Sequence, residues 1–157
     1  MATTVEELSL DEQISKSQAI VVARAESVQS AREVTDRGRP IVTTVRFSTL
    51  QALKGGMPGS FELRFLGGKI DDLEMKVDGM PQFTAGAGYL LFVSGESGRA
   101  CPLVGWAGGG WPVEQGMVAI PGRFAADLGL EAGDGQDFAS VPLQAAEQAI
   151  RARVVEP

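Results

Sequence analysis

The chain has 157 residues, of which 44% are hydrophobic and 22% charged, a composition typical of a folded globular protein. It contains no histidine and one cysteine, so its own residues cannot build a serine–histidine triad, a zinc site rich in histidine or cysteine, or an intrachain disulfide. The net charge of −6 lies entirely after residue 66, and without a dense basic cluster to neutralise phosphates no nucleic-acid binding is predicted.

The N-terminus predicts a short helix. Thr4 with Glu7, and Ser9 with Glu12, both have the spacing of a capping box, in which two side chains satisfy backbone N–H groups at the start of a helix. The helix is expected to end by Gln18.

Three strands are predicted next. Residues 19–28 begin as a continuous apolar run and then alternate, and a polar hairpin loop is expected over 30–39. Pro40 starts a second strand, which reaches a glycine-rich turn at 54–59. Residues 61–65 alternate apolar and charged side chains, the pattern of a strand with one buried face.

The second half of the chain predicts shorter strands. Gly67 and Gly68 interrupt the pattern, and residues 69–78 could be a strand edge or a loop. Further strands are expected at 83–93, 100–106 and 111–118, with 120–124 extending or pairing with them.

A loop and a helix are predicted to close the chain. Residues 125–139 are rich in glycine and predict the loop. Ser140 is expected to cap the helix, with Pro142 in its first turn, where a missing N–H costs nothing. Arg151 and Arg153 lie at its C-terminal end, as the helix dipole favours.

This order of elements predicts a mainly β fold. A helix, at least five short antiparallel strands and a second helix favour a small closed β-barrel with the helices packed on its openings. We expect one domain over 1–157, with a barrel core at about 18–124 and the C-terminal loop and helix at 125–155.

Three runs resemble a known family. They are Ile20-Val21-Val22-Ala23-Arg24-Ala25 after a short helix, Leu53-Lys54-Gly55 at the end of a long strand, and Phe83-x-x-Gly86-x-x-Tyr89-Leu90-Leu91-Phe92. Together, over about residues 18–93, they resemble the netrin-type module, the five-stranded oligonucleotide/oligosaccharide-binding (OB) barrel of the tissue inhibitors of metalloproteinases. The same runs are similar to small bacterial exported proteins.

The resemblance implies a scaffold without the inhibitors' chemistry. It implies a five-stranded OB-type barrel in a periplasmic or secreted protein whose signal peptide has been removed. Those inhibitors chelate the zinc of their target enzyme through an N-terminal cysteine, whereas this chain begins Met1-Ala2-Thr3 and has Cys101 as its one cysteine. No inhibitory residue therefore carries over.

The segment Trp106-Ala107-Gly108-Gly109-Gly110-Trp111 is the first candidate site. Two indoles around three glycines could form a stacking platform for a sugar, a base or a partner side chain. The alternative, which we favour, is that both indoles are strand residues covering the barrel end and that the glycines allow a bulge or a tight bend.

Arg24, Arg46 and Arg64 are the second candidate site. They fall on neighbouring predicted strands and could share an outward face with Glu26 and Glu62, where a polyanion could bind. A solvated face of cross-strand ion pairs is the favoured alternative, because this half of the chain carries no net charge.

Two acidic segments could offer oxygen ligands to Ca²⁺. They are Asp71-Asp72-x-Glu74 and Asp134-Gly135-Gln136-Asp137. Neither has the spacing of an EF-hand loop, so solvated turns are favoured, and no metal or cofactor is predicted. Cys101 is expected to be a buried small hydrophobe.

The leading functional hypothesis is a non-catalytic, exported binding module whose partner is a protein. The alternative is a module for a small ligand, a carbohydrate or lipid fragment, that uses Trp106 and Trp111. An enzyme using carboxylates or Ca²⁺ is disfavoured by the missing histidine. No membrane insertion is predicted, since no apolar run approaches the roughly 18 residues of a membrane span.

Overall fold

The computed structural model describes residues 9–34, 38–94, 101–121, 124 and 138–154, without the side chains of Trp106, Ala107 and Phe138. Within these ranges the structure is mainly β. In chain order the elements are α1 (Leu10–Lys16), β1 (Ala19–Arg32), β2 (Ile41–Lys54), β3 (Ser60–Leu66), β4 (Gly68–Ile70), β5 (Leu73–Met75), β6 (Gly88–Val93), a 3₁₀ helix (Trp106–Gly109), β7 (Gly110–Glu114), β8 (Met117–Pro121), β9 (Phe138–Pro142) and α2 (Leu143–Arg153).

Seven strands form one antiparallel sheet, in the order β3-β2-β1-β6-β7-β8-β9, and β4 and β5 form a separate hairpin. Strands β1 to β3 are consecutive neighbours and β6 returns to lie beside β1, which is a Greek-key arrangement. The predicted barrel of five strands is therefore corrected to a sheet of seven. Among the described strands, β3 and β9 do not pair with each other, so no closed barrel is found.

Two features add strands that the sequence pattern did not predict. Gln115 and Gly116 both have positive φ angles, 51° and 76°, as the central residues of a two-residue hairpin turn require, and they divide the predicted strand 111–118 into β7 and β8. Residues 138–142 form β9, where Ser140 pairs with Ala119. Ser140 is thus a strand residue, and the prediction that it caps the last helix is wrong.

Each face of the sheet covers its own hydrophobic core. Along β1 the even-numbered Ile20 and Val22 join one core, which we call the helix-side core, and the odd-numbered Val21 and Ala23 join the other, the groove-side core. This alternation explains why β1 begins as a run of apolar residues, all of them buried. Helices α1 and α2 cover the helix-side core, through Leu10, Ile14, Ala146 and Ile150.

Helix α1 begins as predicted. The Ser9 side chain accepts a hydrogen bond from the Glu12 backbone N–H, and the Glu12 carboxylate accepts one from the Ser9 N–H. Hydrogen bonding of the Glu12 carboxylate by the Ser9 backbone N–H, and then by the Ser9 side chain, holds the pKa of this carboxyl below its ordinary value, since it favours the charged form. Thr4 and Glu7 lie outside the described residues. Helix α2 begins after Pro142 and has no side-chain cap.

Other boundaries also differ from prediction. The strand predicted over 83–93 begins only at Gly88, because residues 84–87 turn, with Gly86 at a φ of +90°. In place of a strand at 100–106, the described residues make a single bridge, from Val93 to Leu103, and then enter the 3₁₀ helix. Most of the predicted loop at 125–139 lies outside the described residues.

Candidate functional site

An open groove of about 650 Å³ lies on the face of the sheet opposite the helices. Its floor is the outer half of the β1–β2 hairpin, and its wall is the β4–β5 hairpin with the segment that follows it. The lining comprises Val28, Ser30, Thr43, Phe65, Leu66, Gly67, Gly68, Lys69 and residues 74–83.

Two glycines let the chain cross the sheet here. After β3, Gly67 and Gly68 have φ angles of +103° and +144°. The Thr43 hydroxyl donates to the Gly67 carbonyl oxygen (2.7 Å) and lies 2.8 Å from the Ser30 hydroxyl. A Cβ atom on Gly68 would overlap the oxygen of Thr43 and lie 2.7 Å from that of Ser30. Only glycine allows both this backbone conformation and so close an approach.

The wall is anchored at its far end by an aromatic cluster. The ring of Phe83 lies 5.0 Å from that of Phe65, 5.4 Å from that of Phe47 and 4.8 Å from that of Tyr89. The Tyr89 hydroxyl in turn accepts a hydrogen bond from the Thr84 N–H (2.8 Å). Met80, earlier in the wall, also packs against the groove-side core, and the groove lies between this wall and the outer half of β1.

The groove has an apolar wall, a floor that also carries the Ser30 and Thr43 hydroxyls, and a rim whose charges balance. Val77, Met80 and Phe83 are half-buried along the wall, and Val28 on the floor is 37% exposed. Lys69 and Glu74 face each other across the β4–β5 pair, and Lys76 lies 3.7 Å from the carboxylate of Glu74. With Asp78, the rim holds two positive and two negative groups. The balance of charge on the rim favours an uncharged group over an ion.

The three arginines of the second candidate site all have polar partners. Arg24 pairs with Glu26 at 4.0 Å, and Arg64 forms an ion pair with Glu33. Arg46 stands opposite Glu62 in the β2–β3 register, and its Nε donates to the Ser60 hydroxyl (3.3 Å). These contacts, of which Arg24–Glu26 lies within β1, favour a solvated face of polar and ionic pairs over a polyanion site.

The tryptophan segment does not form a platform of two indoles. Trp111 is fully buried in the helix-side core, where its ring lies 4.7 Å from that of Phe92 and its Nε1 donates to the Gly108 carbonyl oxygen (2.8 Å). A ligand therefore cannot reach it. Trp106 begins the 3₁₀ helix instead of lying in a strand, and its side chain lies outside the described residues.

The described acidic segment, at 71–74, shows no metal centre. Asp71 and Asp72 are exposed residues of the turn between β4 and β5, and Asp71 has a φ of +51°. The segment at 134–137 lies outside the described residues. Among those that are described, no three histidine, cysteine, aspartate or glutamate residues cluster as metal ligands would. Cys101 is buried as predicted, and burial raises the pKa of its thiol to about 11.

Sequence reasoning missed the groove for an identifiable reason. The predicted hairpin loop began at Ser30, but β1 continues to Arg32, and Ser30 pairs with Thr43 in β2. Residues 27–31 are mostly small or polar, which is typical of loops. The adjacent glycines Gly67 and Gly68 were a signal, because paired glycines indicate that the backbone passes close to another part of the chain. They did not identify Ser30 and Thr43 as the residues that it passes.

No described helix has the length and apolar character needed to cross a membrane. The chain matches no known family model, no curated protein and no solved structure. These comparisons thus identify no netrin-type module, and that resemblance stays a proposal.

Proposed function

We propose that this protein is a non-catalytic binding module that holds part of a partner protein in the groove. The observation that carries the proposal is the groove itself, a concavity of about 650 Å³ with an apolar wall and a rim whose charges balance. Its volume falls within the range of small-molecule pockets, which leaves room for a few side chains of a partner. The Trp106 and Trp111 alternative has less support, because the indole of Trp111 is buried.

We propose the relationship to OB-type modules at the level of strand order. Strands β1, β2, β3 and β6 make a Greek key, which is also the topology of OB barrels. The exported location implied by the netrin-type resemblance is a proposal as well. Fractionation of the source cells, with immunodetection of the protein, tests it, and recovery in the cytoplasm alone would overturn it.

Site-specific photo-crosslinking tests the use of the groove. A photoreactive amino acid at Gln82, exposed on the groove rim, is expected to capture a protein partner in cells. The same amino acid at Arg46, on the opposite face of the sheet, serves as the control and is expected to capture none. Equal capture from both positions would indicate non-specific contact and contradict the proposal.

A charge placed in the groove provides the second control. Val28→Lys puts an ammonium on the groove floor, whereas Val34→Lys puts one at a residue that is 81% exposed and not part of the lining. Capture through Gln82 is expected to disappear in the first variant and persist in the second. Capture that survives Val28→Lys would show that the partner binds elsewhere. A bound small molecule in place of a protein, found by mass spectrometry of the native complex, would favour the small-ligand alternative.

A further inference from the structure

Strand β1 has an open edge along its outer half. It pairs with β2 as far as Arg32, but its pairing with β6 covers only Ala19–Arg24. One more contact follows, in which Ala25 exchanges hydrogen bonds with Ala87 and Gly86. None of the described strands pairs with this side of β1 beyond Ala25.

The register shows which backbone groups face that edge. Ala25 directs its N–H and C=O toward β6. The pairing then shifts by one residue between Ala25 and Ser27, a β-bulge, after which Glu33 bonds back to Pro40 in the hairpin. Because backbone groups alternate along an antiparallel strand, Ser27, Gln29 and Ala31 face β2, and Val28, Ser30 and Arg32 face the open side.

The middle of this edge carries little protection against pairing, which is confined to the β-bulge before Ser27 and the charge of Arg32 at the outer end. Exposed edges are commonly blocked by charged residues, by proline or by a covering segment. Residues 27–31 contain no charge and no proline. Two of the residues with outward-facing backbone groups, Val28 and Ser30, also line the groove. The edge and the groove are therefore parts of one surface.

We propose that an extended segment of the partner protein adds to the sheet along Val28–Arg32, in line with β6. This inference rests on the proposed function and specifies the chemistry of the occupant. Only another polypeptide backbone offers donors and acceptors at the spacing of these groups. About five residues of an extended strand span the edge. Alternate side chains of the added strand face the groove, where the apolar wall and balanced rim select uncharged apolar side chains.

A random heptapeptide library displayed on phage, selected on the full chain, tests this pairing. We expect the selected peptides to have apolar residues at alternate positions. The decisive pair of variants is Ser30→Ala and Ser30→Pro. Both remove the hydroxyl that contacts Thr43, but only proline removes the backbone N–H and places its ring in the path of the added strand. A synthetic copy of a selected peptide should bind the alanine variant within about threefold of the parent and the proline variant at least about tenfold more weakly.

Hydrogen exchange gives a readout that does not depend on how the proline variant folds. In the parent chain, bound peptide is expected to slow exchange of the Ser30 amide, which faces the edge. The Gln29 amide, already bonded to β2, should change little.

The possible failures are distinguishable. Equal binding to the alanine and proline variants, or an unprotected Ser30 amide, overturns the pairing. Either result is still consistent with binding in the groove if Val28→Lys abolishes binding of the peptide. Binding that is insensitive to Val28→Lys overturns the groove proposal as well. A library that yields no binding peptide contradicts the pairing. A dimer of the parent chain that dissociates in the Ser30→Pro variant also contradicts the proposal, because the strand added to the edge would then come from a second copy of the chain.

Discussion

Gln13 is a buried amide whose hydrogen-bonding capacity is only partly used. Its Nε2 donates to the Gly108 carbonyl oxygen at 2.8 Å, whereas its Oε1, also buried, accepts no hydrogen bond within the described part of the chain. Gln13→Met keeps the length of the side chain and removes both polar ends. Loss of the hydrogen bond lowers the free energy of unfolding by about 1 kcal/mol, and removal of the unsatisfied buried acceptor raises it by about 1–3 kcal/mol. We therefore expect the free energy of unfolding to stay unchanged or to rise by up to about 2 kcal/mol.

Urea unfolding followed by far-ultraviolet circular dichroism measures this change. Gln13→Ala is the matched control, because it removes the same polar atoms but leaves a cavity, and it should lower the free energy of unfolding by about 2–4 kcal/mol. Gln13→Glu should be destabilised more at pH 7 than at pH 4, since a buried carboxylate would face the Gly108 carbonyl oxygen. Destabilisation of Gln13→Met by more than about 1 kcal/mol would refute the reasoning, because it would mean that Oε1 has a partner in solution.

Three further predictions follow from burial and backbone geometry. Trp111→Ala should lower the free energy of unfolding by about 3–5 kcal/mol in the same assay, whereas Leu50→Ala, at a residue 64% exposed, should change it by less than about 1 kcal/mol; similar values for both would contradict the buried position of the indole. Cys101 should react with iodoacetamide at pH 8 only after unfolding, because its pKa of about 11 leaves little thiolate in a buried site; rapid labelling of the native protein would show that the thiol is accessible. Gly109→Ala should lower the melting temperature, because its Cβ would overlap a backbone carbonyl oxygen, whereas Gly59→Ala, with open space around it, should not; an equally stable pair would argue against the tight turn.

The predictable parts of the fold were those with a strong local signal. The capping box at Ser9 and Glu12 marked the start of α1, and the alternation within β3 identified its buried face. These signals involve neighbouring residues, so the sequence carries them directly. The number of strands in the sheet does not follow from such signals. Strand β9 exists because Val118 and Ala119 provide an edge on which residues 138–142 can pair, and that contact joins positions about 20 residues apart.

For the candidate sites, too, local patterns were predictable and long-range contacts were not. The sequence correctly placed Arg24, Arg46 and Arg64 on three neighbouring strands. Alternation along each strand also indicated that their side chains point to solvent. It could not decide whether Trp111 was exposed, since an indole beside three glycines suits a surface as well as a core. Burial was decided by Phe92 and the other residues of the helix-side core, which come from distant segments.

By itself, the sequence determined a mainly β chain with helices near both ends, and a single cysteine without histidine, which excludes an intrachain disulfide and a serine–histidine triad. These properties depend on composition and on patterns a few residues long. Only the tertiary structure decided that the sheet has seven strands and that a groove lies over the outer half of β1. Both result from long-range contacts: β6 stops pairing near Ala25, while Gly67 and Gly68 carry the chain across Ser30 and Thr43. Patterns a few residues long do not reveal where such distant segments meet.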